Sequence, residues 1–279
     1  TKITGAYSTE FGVLLRCRDK GMNLSLEGKR ALVCGSTDGI GKACALLMAE
    51  RGAEIVLAAR NEHKLQTTLE ELSGSGHSII CADFDDQDDL KQKVTSHIAE
   101  TGPVHILMNN TGGPHGGPLI EAEADEFEVA FRRHIIGNQY LAQAVVPGMK
   151  ELGYGRIINI ISTSVRQVIP GLGVSNSIRG AVAQWAKTLA LELGPDGITV
   201  NNILPGYTNT ERLKELLEKW AENANVTYDE MVESIAMKTS MRRIGEPKEI
   251  ASAVAFLASN AANYINGSDF PIDGGRFGV

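Results

Sequence analysis

The chain has 279 residues, 43% of them hydrophobic, which is enough for one sizeable core. Its 34 acidic and 27 basic side chains leave a formal net charge of −7, with no basic stripe of the kind that docks on nucleic acid. No apolar run reaches the roughly 18 residues of a membrane span, and the four cysteines lack metal-ligand spacing, so the composition points to a cytoplasmic protein with reduced thiols and no metal centre.

Residues 1–21 carry Glu10, Arg16, Arg18, Asp19 and Lys20, and their apolar stretch is too short for a secretion signal. They read as an N-terminal extension, upstream of a native start at Met22, with a single domain over 22–279. Cys17 falls in that extension, whereas Cys34, Cys44 and Cys81 sit in apolar patterns, where a thiol behaves as a small hydrophobe.

From Arg30 onward strand patterns alternate with helical ones. Strands are predicted near 30–34, 54–59, 78–82, 104–108, 156–161, 199–203 and 268–272. Helices are predicted near 39–51, 62–72, 87–101, 125–152, 174–193 and 247–258. That alternation predicts an α/β, Rossmann-type doubly wound sheet of seven parallel strands with helices on both faces. The segment at about 208–243 breaks the rhythm with a helical pattern directly after a strand's C-terminal end. It reads as a mobile helical lid over a ligand edge, the alternative being an insertion without a role.

The organising stretch is the first strand-to-helix turn, Gly35-Ser36-Thr37-Asp38-Gly39-Ile40-Gly41. Glycines between an apolar strand and a helix let the backbone approach a pyrophosphate, and the helix N-terminus offers it unpaired N–H groups. The end of the second strand, Ala58-Ala59-Arg60-Asn61, lacks the carboxylate that selects NAD by binding both ribose hydroxyls. Arg60 can instead pair with a 2′-phosphate, so NADP(H) is expected ahead of NAD(H), although Asp38 adds negative charge close by.

Six landmarks then follow in order: residues 35–41, Asp83, Asn109-Asn110-Thr111-Gly112, Ser162, Pro205-Gly206 with Thr208 and Thr210, and Asp273-Gly274-Gly275. Together they resemble the short-chain dehydrogenase/reductase family, from about Leu26 to the C-terminus. The resemblance implies hydride transfer between a nicotinamide and a carbonyl or alcohol. It further implies that Asp83 accepts from the adenine, that Asn109 and Gly112 pass the adenosine half, and that Thr210 holds the carboxamide. A homotetramer or homodimer is implied as well, paired through the helices at 125–152 and 174–193.

The catalytic positions depart from the family pattern. Ser162 stands where the resemblance puts the serine, but Ser175 occupies the tyrosine position, Arg179 the lysine position and His134 the asparagine position. A serine hydroxyl is far less acidic than a phenol, and an arginine binds ribose or an alkoxide without shuttling protons. Within the family the pattern is similar to a divergent 3-oxoacyl-acyl-carrier-protein reductase-like subgroup without the tyrosine. His134, titrating near neutrality, is one candidate acid and a satisfied helix histidine is its alternative. Tyr207 and His115 are further candidates near the same edge, Tyr207 reading more simply as a pocket wall. The expected function is an NADP(H)-dependent oxidoreductase acting on a small carbonyl or secondary alcohol. The rival is a dinucleotide-binding sensor or structural partner without turnover.

Overall fold

The structure, a computed structural model, describes residues 22–277. The extension at 1–21, with Cys17, lies outside the described residues. In chain order the elements are β1 (Arg30–Cys34), α1 (Gly39–Glu50), β2 (Glu54–Ala59), α2 (Glu62–Glu70), β3 (Ser78–Cys81), α3 (Gln87–Thr101) and β4 (Ile106–Asn109). After them come α4 (Ala124–Phe131), α5 (Gly137–Leu152), β5 (Gly155–Ile160), α6 (Gly173–Leu193), β6 (Ile198–Pro205), α7 (Glu211–Ala224), α8 (Tyr228–Ala236), α9 (Pro247–Ala258) and β7 (Asp269–Ile272).

The seven strands form one sheet in the order β3-β2-β1-β4-β5-β6-β7, and every pairing is parallel. Side chains alternate across it. Ala31 and Val33 of β1 join a core made with Met48 of α1, Leu65 of α2 and Val254 of α9, while Leu32 and Cys34 join a second core made with α3, α5 and α6. Full burial of a side chain such as Met48 or Met149 contributes about 1.5–3 kcal/mol, so both faces are strongly held. The order of strands reverses between β1 and β4, which opens a crevice at their C-terminal ends.

One predicted helix differs. The stretch expected as a single helix over 125–152 is α4 and α5 joined by a π turn at Arg132–Ile136, where the Gly137 N–H donates to the Arg132 carbonyl five residues back. The wider turn serves two loops at once. Arg133 pairs with Asp85 after β3, and the neighbouring His134 is buried against Thr111 after β4, with Nδ1 2.8 Å from Thr111 Oγ1.

A line of amides crosses the sheet just below the crevice. Asn109 donates to Asn159 (2.8 Å), Asn159 to Asn202 (2.9 Å) and Asn202 to Asp269 (2.8 Å), each pair in direct register. Lys187 of α6 closes the line on Asp269 at 2.7 Å. No described helix is long and apolar enough to cross a membrane, and no cluster of His, Cys, Asp or Glu suited to a metal occurs among the described residues.

The amide line predicts a cost. Asn159→Leu strands a donor on Asn109 and an acceptor on Asn202, each worth about 1–3 kcal/mol when buried and unpaired. The urea midpoint should fall accordingly, and an unchanged midpoint would contradict this account of the ladder.

Candidate active site

The crevice at the switch point is a cavity of about 400 Å³. Its floor is the turn after β1. Gly35 has φ +60°, and a Cβ added to Gly41 would lie 2.0 Å from the Gly35 carbonyl oxygen, so the first turn of α1 sits directly against the loop. Asn110 locks the arrangement by donating from Nδ2 to the carbonyls of Cys34 and Gly35 at 3.2 and 3.3 Å. Asp38 caps α1 by accepting from the Gly39 N–H at 2.7 Å. The helix N-terminus therefore faces the cavity with Gly39 and Ile40 on its wall.

Ser162, two residues after β5, is in extended backbone and caps a short turn, its Oγ accepting from the Ser164 N–H at 3.1 Å. That bond uses an oxygen lone pair and leaves the hydroxyl proton free. Ser175 and Arg179 lie one helical turn apart on α6 and both line the cavity. Arg179 is only 8% exposed, and its Nη1 donates to the Ile160 carbonyl at 3.1 Å. Burial, with the charge of Arg212 added, pulls its pKa down to about 10.

The glycine-rich loop after β4 is stitched to the segment ahead of α6, Gly117 donating to Gly171 at 2.8 Å and Gly173 back to Gly117 at 3.1 Å. The far wall is α7. Thr210 caps it, accepting from Leu213 N–H at 3.3 Å, and Leu213, Leu216 and Trp220 line the cavity. Tyr207 meets Trp220 edge to face at 6.4 Å and carries the Arg276 guanidinium 3.9 Å above its ring. Burial raises the pKa of Tyr207, which weakens it as an acid.

The cavity thus gathers Gly35, Asp38, Gly39, Ile40, Gly112, Ser162, Ser175, Arg179, Pro205, Gly206, Thr208 and Thr210 from the residues singled out by sequence. Ser36 is fully buried beneath it and Gly41 packs behind the turn. Asn109 points into the amide line, and it is Asn110 that borders the cavity. Arg60 and Asp83 lie outside the cavity wall, at the ends of β2 and β3, Arg60 exposed; the pKa of the neighbouring Asp85 is lowered by its Arg133 hydrogen bond, with a smaller contribution from Arg60. His115 is exposed and does not line the cavity. Sequence reasoning missed Thr163, Arg212, Trp220 and Arg276 on the wall. For Arg212 the only signal was its position two residues after Thr210.

His134 needs a correction. Sequence alone suggested a histidine titrating near neutrality. Burial, and the nearby charges of Arg179 and Arg133, hold its pKa well below the usual histidine range, so it is neutral at physiological pH and no reservoir of protons. Its Nε2 is buried without a hydrogen-bond partner.

A doubly wound sheet with a glycine turn at its switch point defines a nucleotide-binding α/β protein, and the comparisons narrow the class. Residues 35–276 match the family described as Enoyl-(Acyl carrier protein) reductase. A tropinone reductase homologue of Arabidopsis thaliana is 32% identical over 96% of this chain and 81% of its own length. The 3-oxoacyl-[acyl-carrier-protein] reductase of Vibrio cholerae is 33% identical over 91% of this chain and 99% of its own. The crystal structure of L-sorbose reductase from Gluconobacter frateurii, complexed with NADPH and L-sorbose, superposes with a TM-score of 0.84 at 29% identity, covering 92% of this chain and all of that one. The chain belongs to the short-chain dehydrogenase/reductase family, whose members are oxidoreductases of alcohols and carbonyls.

The state of His134 has a measurable consequence. Folding lowers its pKa, so below about 6.5 the unfolded chain takes up a proton that the folded chain refuses. Stability is intact above that pH and falls as the pH drops toward the folded value, with His97 and His105, also lowered by burial, pushing the same way. His134→Gln should make urea stability less steep between pH 7 and pH 5, by up to about 1.4 kcal/mol per pH unit. A variant slope equal to the parent's would refute the assignment.

Proposed function

We propose that the chain is an NADP(H)-dependent reductase of a small carbonyl compound, or in reverse a dehydrogenase of the secondary alcohol, with an altered catalytic set. The observation that carries this reading is one cavity joining the α1 N-terminus to Ser162, Ser175 and Arg179. The glycine approach at Gly35 and Gly41, where any side chain would clash, leaves room for a pyrophosphate against the backbone N–H groups, so the residues present suit a dinucleotide. NADP(H) bound there supplies or accepts the hydride.

Ser162 donates its free hydroxyl proton in a hydrogen bond to the substrate oxygen. Arg179 steadies negative charge developing on that oxygen and binds the nicotinamide ribose, work its permanent charge suits. Ser175 is too weak an acid to replace a phenol, and His134 is held neutral. The proton therefore comes from water admitted by the open cavity. Thr210 and the Pro205-Gly206 turn take the carboxamide end, and Asp83 and Gly112 the adenosine half. α7 and α8 act as the lid, pinned at its base where Asn209 donates to Gly245 at 2.8 Å.

The NADPH complex of the sorbose reductase supports the cofactor choice, as does the absence of a carboxylate at the end of β2. A cytoplasmic setting suits Cys34, which is buried with its pKa pushed up to about 12 and is unreactive as a thiol. Leu152 of α5 and Leu191 of α6 are exposed, which supports pairing of these helices in a homodimer or homotetramer.

Nicotinamide absorbance over a panel of ketones and alcohols, with NADPH and NADH in parallel, tests the reading. Arg60→Ala should weaken NADPH binding about 10–100-fold while leaving NADH within a few-fold, as loss of a charge-assisted phosphate contact implies. Equal losses for both nucleotides would remove Arg60 from the site. Tyr207→Phe should lower kcat by less than about tenfold, against the ~10²–10⁴ that loss of a general acid costs. Tight NADPH binding with silence across the panel would favour a dinucleotide-binding protein without turnover.

A further inference from the structure

The charges around the substrate end of the cavity are unbalanced. Arg179, nine-tenths buried, has no carboxylate partner among the described residues, and its single protein hydrogen bond engages Nη1 alone. Its Nη2 lies 3.6 Å from where a Cβ on Gly113 would stand. Arg212, reaching over from the lid helix α7, donates from Nη2 to the carbonyl of the next residue, Pro114, at 2.8 Å. Two guanidiniums thus converge on consecutive residues of one loop.

Of the two, Arg212 has an acid partner at the surface and Arg179 has none among the described residues. Glu215 is half-exposed, on the solvent side of Arg212, and meets it at 3.3 Å. The two acidic residues that line the cavity, Asp38 and Glu211, also line the outer cleft beside Lys42 and Lys214, at the mouth away from the loop. Arg276 also lines the cavity, stacked on Tyr207 and within reach of the Asp273 charge. A buried cation without a counter-charge carries a desolvation cost, which a bound anion offsets. Beside Arg212 on α7 the lining is apolar, Leu216 and Trp220, and Ile169 and Leu172 ahead of α6 extend it.

The geometry points to a substrate that is itself an anion: a carbonyl compound, or its alcohol, bearing a carboxylate that bridges Arg212 and Arg179 beside Gly113 while its apolar portion lies on Leu216 and Trp220. This rests on the reductase reading and adds the substrate class. Arg212 is a binding residue, and because it sits on α7 the same contact draws the lid onto the loop after β4. No group is transferred in this step; the carboxylate is held as the anion it already is.

Matched pairs test it: pyruvate against methyl pyruvate, phenylpyruvate against its methyl ester, levulinate against methyl levulinate. At least one acid should exceed its ester in kcat/KM by about 10–100-fold, the worth of a charge-assisted bidentate contact. Arg212→Gln should reduce that acid-to-ester ratio at least tenfold, chiefly through KM of the acid. If the variant does not fold, the wild type still decides: KM of the acid should rise with added salt while KM of the ester stays flat. Esters matching or exceeding acids in every pair, or a KM for the acid indifferent to salt, would overturn the proposal. Should no pair turn over, calorimetry of benzoate and benzamide on the NADP⁺-saturated protein separates the two ideas. Benzoate binding without benzamide binding keeps the anion clamp and fails only the reductase reading, whereas failure of both to bind, or equal binding, overturns the clamp.

Discussion

The structure depends on how closely the turn after β1 is pressed between α1 and the end of β4. A methyl group at Gly41 would fall 2.0 Å from the Gly35 carbonyl, and Asn110 ties the same turn to β4 through two carbonyls. Nothing larger than glycine allows α1 to begin there. Because α1 begins there, its N-terminal N–H groups face the switch point, and a pyrophosphate has backbone rather than side chains to meet. The strand order, the amide line beneath and the α7 wall above all take their positions around that contact.

On this frame the substrate end is built from a different set of groups than the nucleotide end. The nucleotide end is backbone, small residues and a helix terminus. The substrate end is a serine hydroxyl, buried or half-buried guanidiniums and an aromatic wall of Tyr207 and Trp220. Fixed positive charge beside a reacting oxygen favours the negative charge that oxygen would gain, but it disfavours any neighbour that must carry a proton. Burial first, and the Arg179 charge after it, hold the pKa of His134 down. On the proposed reading, the cation that would steady an alkoxide and the histidine that cannot hold a proton belong to one electrostatic environment.

Much of this was legible in the sequence where the information is local. The alternation of strands and helices, the glycine turn and the spacing of Ser175 and Arg179 on one helix face all follow from short-range periodicity. The β1, β2 and α9 bounds match the predicted ones residue for residue. What escaped was set through space. Arg212 earns its position from a contact with Pro114, 98 residues away in sequence. The amide line joins residues 50 and 43 positions apart, and no single asparagine in it looks unlike a turn or strand-edge residue. His134 looked like a switch because its type titrates near neutrality; burial and the Arg179 charge, 45 positions on and met only through the fold, decide otherwise together with the adjacent Arg133.

The π turn at Arg132–Ile136 shows what one residue can do to a rod. Removing that surplus residue to give a regular helix would turn α4 by about 100° relative to α5. Ala130, buried against Val174 and Ile178 of α6, would swing away from its seat. The slot that holds His134 and the docking of α4 beside α6 are therefore a single mechanical unit, and a length change here cannot be absorbed as it would be in a surface loop.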